Sequence, residues 1–261
     1  MSENGPVFWL GPPAPRAFSI FTRVLQVVTL ILVAVWVLHD LGGVAFSPKR
    51  INLLVNDTGV IFNWHPLLMT LAFPVLMGEA VIAYRAPVAS NLDRGQRKLL
   101  HALLQIIAVV AALLGVIAAF QSHNLKKPLP IPNLYSAHSY LGIFTLILLG
   151  LQAILGFTAF LYPTFSKSNR EALAPWHTFL GRATFIMGLA TMAVGIQEKT
   201  QFVAAAKKLA GAGLYSSALR LPATIEIFLA LVGMAVLYHH VPGPSTRREA
   251  DTLLPDVLQD A

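Results

Sequence analysis

Phe62-Asn63-Trp64-His65-Pro66-Leu67-Leu68-Met69 sets a histidine at the opening of a long apolar segment. The placement recurs in Lys98-Leu99-Leu100-His101, Tyr135-Ser136-Ala137-His138-Ser139 and Ala174-Pro175-Trp176-His177. The intervals are 36, 37 and 39 residues, one helix and one loop each time. Consecutive segments that cross a bilayer alternate in direction. His65 and His138 therefore fall near one face, and His101 and His177 near the other, as two facing pairs.

Composition supports the bilayer. The chain has 261 residues, 56% hydrophobic and 12% charged, with a mean hydropathy of +0.65. That is too apolar for a soluble domain and identifies an integral membrane protein. A spanning helix needs about 20 apolar residues, and six such stretches use most of the chain. The formal charge is +7, but Lys and Arg sit in short loops between apolar segments, so no nucleic-acid surface is expected. Cysteine is absent, which removes disulfides, iron–sulfur ligation and thiol catalysis by this chain. The proline- and glycine-rich start lacks a short apolar region with a small-residue cleavage site, so no cleaved signal peptide is expected.

The expected fold is an all-α membrane protein of six transmembrane helices, with a central four-helix bundle. Residues 1–16 read as a disordered tail, 17–240 as the six-helix domain and 241–261 as a C-terminal tail. The helices are expected over about 18–39, 62–84, 99–120, 135–161, 175–196 and 219–240. Residues 41–60, 86–98, 121–134, 163–174 and 197–218 then form loops, the last with room for a short interfacial helix. Basic residues are slightly more numerous on the side holding both termini, where Arg94, Arg97 and Lys98 cluster. The positive-inside rule therefore places both termini in the cytoplasm.

A histidine inside a membrane span is costly and usually functional. Two imidazoles facing each other inside a bundle suit a haem iron with both axial positions filled, which moves electrons and binds no oxygen. One such histidine alone reads more simply as an interhelical hydrogen-bonder. Four at equivalent positions read as ligands for two haems. Zinc would want cysteines, carboxylates or closer histidine spacing. Each histidine lies roughly three to four residues inside its span, about 5–6 Å at 1.5 Å per residue. Within a core of about 30 Å, that leaves roughly 18–20 Å between the two ligand layers.

These segments resemble the cytochrome b561 family. The likeness rests on the four histidine contexts, on Ala80-Val81-Ile82-Ala83-Tyr84-Arg85, on Ala119-Phe120-Gln121-Ser122-His123-Asn124, and on Pro175-Trp176-His177-Thr178-Phe179-Leu180-Gly181. The resemblance implies a six-helix bundle, often a homodimer, holding two haem b groups. It implies that His65 and His138 ligate the non-cytoplasmic haem, and His101 and His177 the cytoplasmic one. It further implies that cytosolic ascorbate gives one electron to monodehydroascorbate or a ferric chelate across an endomembrane (vacuole, endosome or vesicle) or the plasma membrane. Tyr140 stands where many members carry Trp, and Arg182 where members are usually uncharged. Two rival readings are a membrane cytochrome b subunit of a respiratory complex passing electrons to quinone, and a haem-free channel or scaffold.

Further candidates complete the reading. Arg94, Arg97 and Lys98 precede the His101 helix and suit attraction of anionic ascorbate; otherwise they are ordinary loop charge. His123 matches a family position at the non-cytoplasmic site, and Tyr135 lies close enough to His138 to line that site. Arg182 either pairs with a haem propionate or snorkels to the surface. Glu79 and Glu226 are intramembrane carboxylates that bond across helices or relay protons. His39, His239 and His240 read as interfacial.

Overall fold

The computed structural model describes residues 14–85, 91–162, 164–209 and 215–241. Six helical spans in them are long and apolar enough to cross a membrane: Arg16–Asp40, Gly59–Ile82, Arg94–Asn124, Ala137–Leu161, Lys167–Ala206 and Ser217–Tyr238. The chain is a multi-pass integral membrane protein. Nearly all of both expected tails lies outside the described residues; Arg16 already belongs to the first helix.

The first span is α1 (Arg16–Val35), which widens into a π-helical turn at Trp36–Asp40. A two-residue antiparallel pair follows, β1 (Lys49–Arg50) with β2 (Asn56–Asp57), inside the expected loop 41–60. The second span is built in pieces: α2 (Gly59–Phe62), α3 (Trp64–Thr70), a π-helical segment Leu71–Met77, and α4 (Gly78–Ile82). Pro74 lies in the π segment. A proline lacks the amide donor and crowds the preceding turn, so a wider turn accommodates it. Gln26 of α1 donates to the Pro74 carbonyl at 2.9 Å, satisfying a backbone acceptor that lipid could not.

The third span is α5 (Arg94–Asn124) and starts earlier than expected. Asp93 accepts from the Gln96 amide at 2.8 Å, and the Gln96 side chain accepts from the Asp93 amide at 3.0 Å. This reciprocal cap starts the helix among polar residues. Arg94, Arg97 and Lys98 are therefore residues of the first two helical turns and not loop residues. His123 is likewise helical, in the last turn of α5. The fourth span is α6 (Ala137–Gly156), extended by a π-helical turn Phe157–Leu161. Ser136 caps it, so Tyr135 precedes the helix and does not belong to it.

The fifth span differs most from expectation. A single helix, α7 (Lys167–Leu209), runs 43 residues and absorbs much of both expected flanking loops. Residues 197–208 are polar, but they are rich in Gln, Glu, Lys and Ala and contain no Gly or Pro. Such residues favour the helix, so falling hydropathy marks departure from lipid and not the end of the helix. The sixth span is α8 (Ser217–Tyr238).

The second span packs on α5 and α7, α6 packs on both α5 and α7, and α1 and α8 flank the second span and α7. Trp36, Met77, Phe185, Ile225 and Leu229 are buried in the common core on that flank. The Trp36 indole donates to the Ala218 carbonyl at 3.2 Å. On α6, by contrast, few apolar side chains are buried. That core reaches the histidine-bearing interior, where Val33, Trp36, Phe73 and Met192 line the same cavity as His65 and His138.

Candidate functional site

The bundle brings the four histidines together in two pairs. His65, in the first turn of α3, faces His138, in the first turn of α6; their ring centres are 5.9 Å apart and their planes 83° apart. His101 of α5 faces His177 of α7 at 6.3 Å and 75°. Metal–imidazole bonds run at about 2.0–2.1 Å, which sets the centres of two rings flanking one metal roughly 6 Å apart. Both pairs meet that spacing.

Backbone carbonyls orient three of the rings. The Nδ1–H of His65 donates to the Gly115 carbonyl at 3.0 Å, that of His101 to Ala80 at 2.7 Å, and that of His138 to Thr191 at 3.0 Å. A carbonyl can only accept, so each ring carries its proton on Nδ1 and keeps the Nε2 lone pair for a metal. The Nδ1 of His177 is buried and has no partner among the described residues. Two glycines cradle the rings. A Cβ on Gly195 would lie 2.5 Å from the His138 ring, and one on Gly156 would lie 3.2 Å from the His177 ring. The donor set, fixed tautomers and ring separations fit bis-imidazole haem. No cluster of three or more His, Cys, Asp or Glu that could hold a metal ion occurs among the described residues.

The separation of the layers can be read along the helices. His101 and the Gly115 carbonyl that holds His65 are 14 residues apart on α5, and His177 and Thr191 are 14 apart on α7. At about 1.5 Å per residue, both helices place the layers roughly 21 Å apart.

A cavity of about 420 Å³ opens beside the His65–His138 pair, lined also by His123, Lys126, Tyr135, Glu198 and Lys199. His123 Nδ1 lies 3.0 Å from Asn133 Oδ1, and its ring lies 6.3 Å from that of Tyr135. The Tyr135 hydroxyl is pushed up from its usual pKa, first by burial and then by Glu198. The Lys126 ammonium donates to the Asn56 carbonyl at 2.7 Å. Lys199 stands 4.8 Å from the Phe62 ring centre, in a cation–π contact. Lys199 and Glu198 were read as loop residues. The signal that could have found them is the α7 stripe Gly188, Thr191, Gly195, Lys199 and Phe202, spaced three or four apart.

At the other pair, Arg97 donates to the carbonyls of Leu92 at 2.9 Å and Tyr84 at 3.0 Å, tying the start of α5 to the end of the second span. Lys98 donates to the Phe160 carbonyl at 3.3 Å, and Phe160 in turn packs on His177 at 5.3 Å. Tyr84 lies 5.8 Å from the His101 ring. Arg170, in the first turn of α7, has a buried Nε with no partner among the described residues.

The remaining charged groups find other roles. Glu79 forms a 2.8 Å ion pair with Arg23. An Arg182 guanidinium nitrogen lies 3.1 Å from His240 Nδ1, tying α7 to the end of α8. His39 is exposed beside Asp40 at 3.2 Å. His239, at the end of the sixth span, is enclosed by protein and only 1% exposed, with Nε2 3.2 Å from the Thr22 hydroxyl. Packing of α1 on the end of α8 encloses it.

The family model for eukaryotic cytochrome b561 matches residues 64–203, a stretch that includes all four histidines. A probable ascorbate-specific transmembrane electron transporter 1 of Oryza sativa subsp. japonica is 39% identical over 186 residues, 71% of this chain and 74% of that protein. Transmembrane ascorbate ferrireductase 1 of Arabidopsis thaliana is 36% identical over 187 residues, 72% of this chain and 73% of that protein. The plasma membrane ascorbate-dependent reductase CYBRD1 of Mus musculus is 35% identical over 175 residues, 67% of this chain and 56% of that protein. With that match over more than half its length, the chain belongs to the eukaryotic cytochrome b561 family, which implies that it binds haem b.

Proposed function

We propose that this chain is an ascorbate-dependent oxidoreductase that carries single electrons across a membrane. Ascorbate is the donor on the cytoplasmic side, which also holds both termini. Monodehydroascorbate or a ferric chelate is the acceptor on the other side. The observation that carries this reading is the pair of facing histidine couples, one toward each end of a single bundle. His65 with His138, and His101 with His177, would each hold one haem b, two in all. When bound, these groups supply one-electron chemistry with no open coordination position. A single such group cannot bridge a hydrocarbon core of about 30 Å, whereas layers roughly 21 Å apart divide the distance.

The chain's own residues prepare the two ends. The three carbonyl-anchored imidazoles need no reorientation when they ligate, because Nδ1–H is already held. Arg94, Arg97, Lys98 and Arg170 give the donor end a positive potential that draws in an anion. Ascorbate monoanion leaves as monodehydroascorbate after losing one electron and one proton. At the far end, Lys126 and Lys199 line the cavity and suit an anionic acceptor. His123 and Tyr135 are the groups placed to supply the proton that monodehydroascorbate needs on reduction. The names of the relatives, all of which invoke ascorbate, favour this reading over a quinone-reducing subunit. The membrane is the plasma membrane, as the mouse relative's name has it, or an endomembrane.

Vesicles carrying the protein and loaded with ascorbate test the proposal. The parent reduces external, impermeant ferricyanide without added quinone or partner subunits. His138→Ala stops that transfer and leaves the other haem reducible from within. Reduction of external ferricyanide by His138→Ala at the parent rate, with leakage excluded, would refute the relay.

A further inference from the structure

The loop between the first two spans displays apolar side chains on a hydrogen-bonded frame. In β1–β2, Lys49 pairs with Asp57 and Arg50 with Asn56. At the tip, the Ile51 and Asn52 amides donate to the Val55 carbonyl at 3.2 and 3.1 Å. The Asn52 carboxamide oxygen accepts from the Leu54 and Val55 amides at 2.9 and 2.8 Å. That is an Asx turn, which holds the tip in one shape. On this ordered tip Ile51 is 62% exposed, Leu53 89% and Leu54 75%; Phe46, just before β1, is 87% exposed. Four large apolar side chains around one short hairpin are a patch that solvent alone does not explain.

The frame also fixes where the patch is. Asn56 donates to the Leu125 carbonyl at 2.8 Å, and its own carboxamide oxygen accepts from the Lys127 amide at 2.8 Å. The hairpin base is thus pinned to the end of α5. Phe46 stacks on Trp64 at 5.2 Å, in the first turn of α3. From Asn56 to the tip is two or three residues, roughly 7–10 Å at about 3.3 Å per residue. The headgroup layer on each side of the hydrocarbon is roughly 5–8 Å thick. The tip therefore stays within roughly 7–10 Å of a base set at the ends of two spans, within reach of the headgroup layer. Lys49 and Arg50, both exposed, flank it, and cations beside an aliphatic patch suit anionic lipid.

We propose that residues 46–54 are an interfacial anchor. Ile51, Leu53 and Leu54 sit in the headgroup layer of the leaflet on the His65–His138 side, and Lys49 and Arg50 face anionic headgroups. The anchor holds the loop that joins α1 to the histidine-bearing second span, beside the rim of the cavity.

The chain has no cysteine, so single-cysteine variants can be spin-labelled in the full-length protein. Leu53→Cys and Leu54→Cys, each labelled, are compared with Ile107→Cys on the lipid-facing side of α5. The vesicles contain either phosphatidylcholine alone or phosphatidylcholine with phosphatidylserine. Variants are first checked for the parent haem spectrum. Collision with lipid-soluble oxygen should exceed collision with a water-soluble nickel chelate several-fold more than for free label in buffer, though less than for Ile107→Cys. Phosphatidylserine should raise that ratio, and adding Lys49→Gln with Arg50→Gln should abolish the rise. Labels at both tip positions as open to nickel as free label would overturn the proposal. So would spin–spin broadening that vanishes on dilution with unlabelled protein, because the patch would then be covered by a second copy.

Discussion

If the two histidine pairs each hold a haem, as proposed, Gly195→Ala is expected to strip one haem and leave the other. The added Cβ would stand 2.5 Å from the His138 Cε1, 2.7 Å from Nδ1 and 2.9 Å from Nε2. Ordinary carbon contacts run at about 3.5–4.0 Å, so the ring must move by about 1 Å or the two helices must part. A shift of that size stretches the His138–Thr191 hydrogen bond from 3.0 Å to about 4 Å, beyond useful geometry. Losing such a bond costs about 1 kcal/mol, and crowding a packed interface typically costs about 1–3 kcal/mol. The fold should survive. Loss of a group that orients a metal ligand typically weakens binding about 10–100-fold, so the His65–His138 haem should be lost on purification. Gly156→Ala is the internal control: its Cβ meets the His177 ring at 3.2 Å, which a shift of a few tenths of an ångström relieves. Haem per polypeptide is measured from the pyridine haemochrome spectrum against total protein. Gly195→Ala should give about half the parent ratio and Gly156→Ala nearly the full ratio. Full occupancy in Gly195→Ala, with both midpoint potentials unchanged, would refute the packing argument.

Three further outcomes are expected. His101→Ala and His177→Ala should each remove the same haem, and His65→Ala and His138→Ala the other; redox titration of the remaining haem in each variant checks the pairing. Lys98→Gln should slow reduction by ascorbate while dithionite still reduces fully, and the difference should shrink as salt screens the attraction; stopped-flow rates at low and high ionic strength decide. Burial, then Arg23 and Arg85, lower the His239 pKa from 6.5 to about 4. The folded protein keeps this ring neutral while the unfolded chain protonates it, so stability is lost as pH falls from about 6.5 toward 4 and is flat above that window. Thermal unfolding midpoints across that range should show the decline, and His239→Gln should reduce it.

How much of this was legible depended on whether the signal was local. Span number follows from runs of apolar residues, since a bilayer sets a minimum length that any window of sequence can be tested against. The four ligand candidates were legible for a similar reason: histidine is costly in lipid, and its recurrence at one place in each span needs no knowledge of contacts. Helix ends were less legible. Residues 197–208 turn polar where α7 leaves the lipid, yet they remain good helix formers, and hydropathy cannot separate those two events. The same confusion hid the Asp93–Gln96 cap and set Arg94, Arg97 and Lys98 in a loop.

The remaining features belong to tertiary structure because the groups involved carry no side-chain signature. The Ala80, Gly115 and Thr191 carbonyls that orient the imidazoles are backbone atoms, present at every residue. Only the packing of α4, α5 and α7 against the histidines selects those three. Gly195 and Gly156 look like any small residues in a span until the rings of α6 and α7 are set against them. His239 shows the limit from the other side: its position at the end of a span marks it as interfacial, and only the docking of α1 against α8 encloses it in protein. Local chemistry thus identifies which side chains can ligate. Which of them face each other, in which tautomer and with how much room, is settled by contacts between helices far apart in the chain.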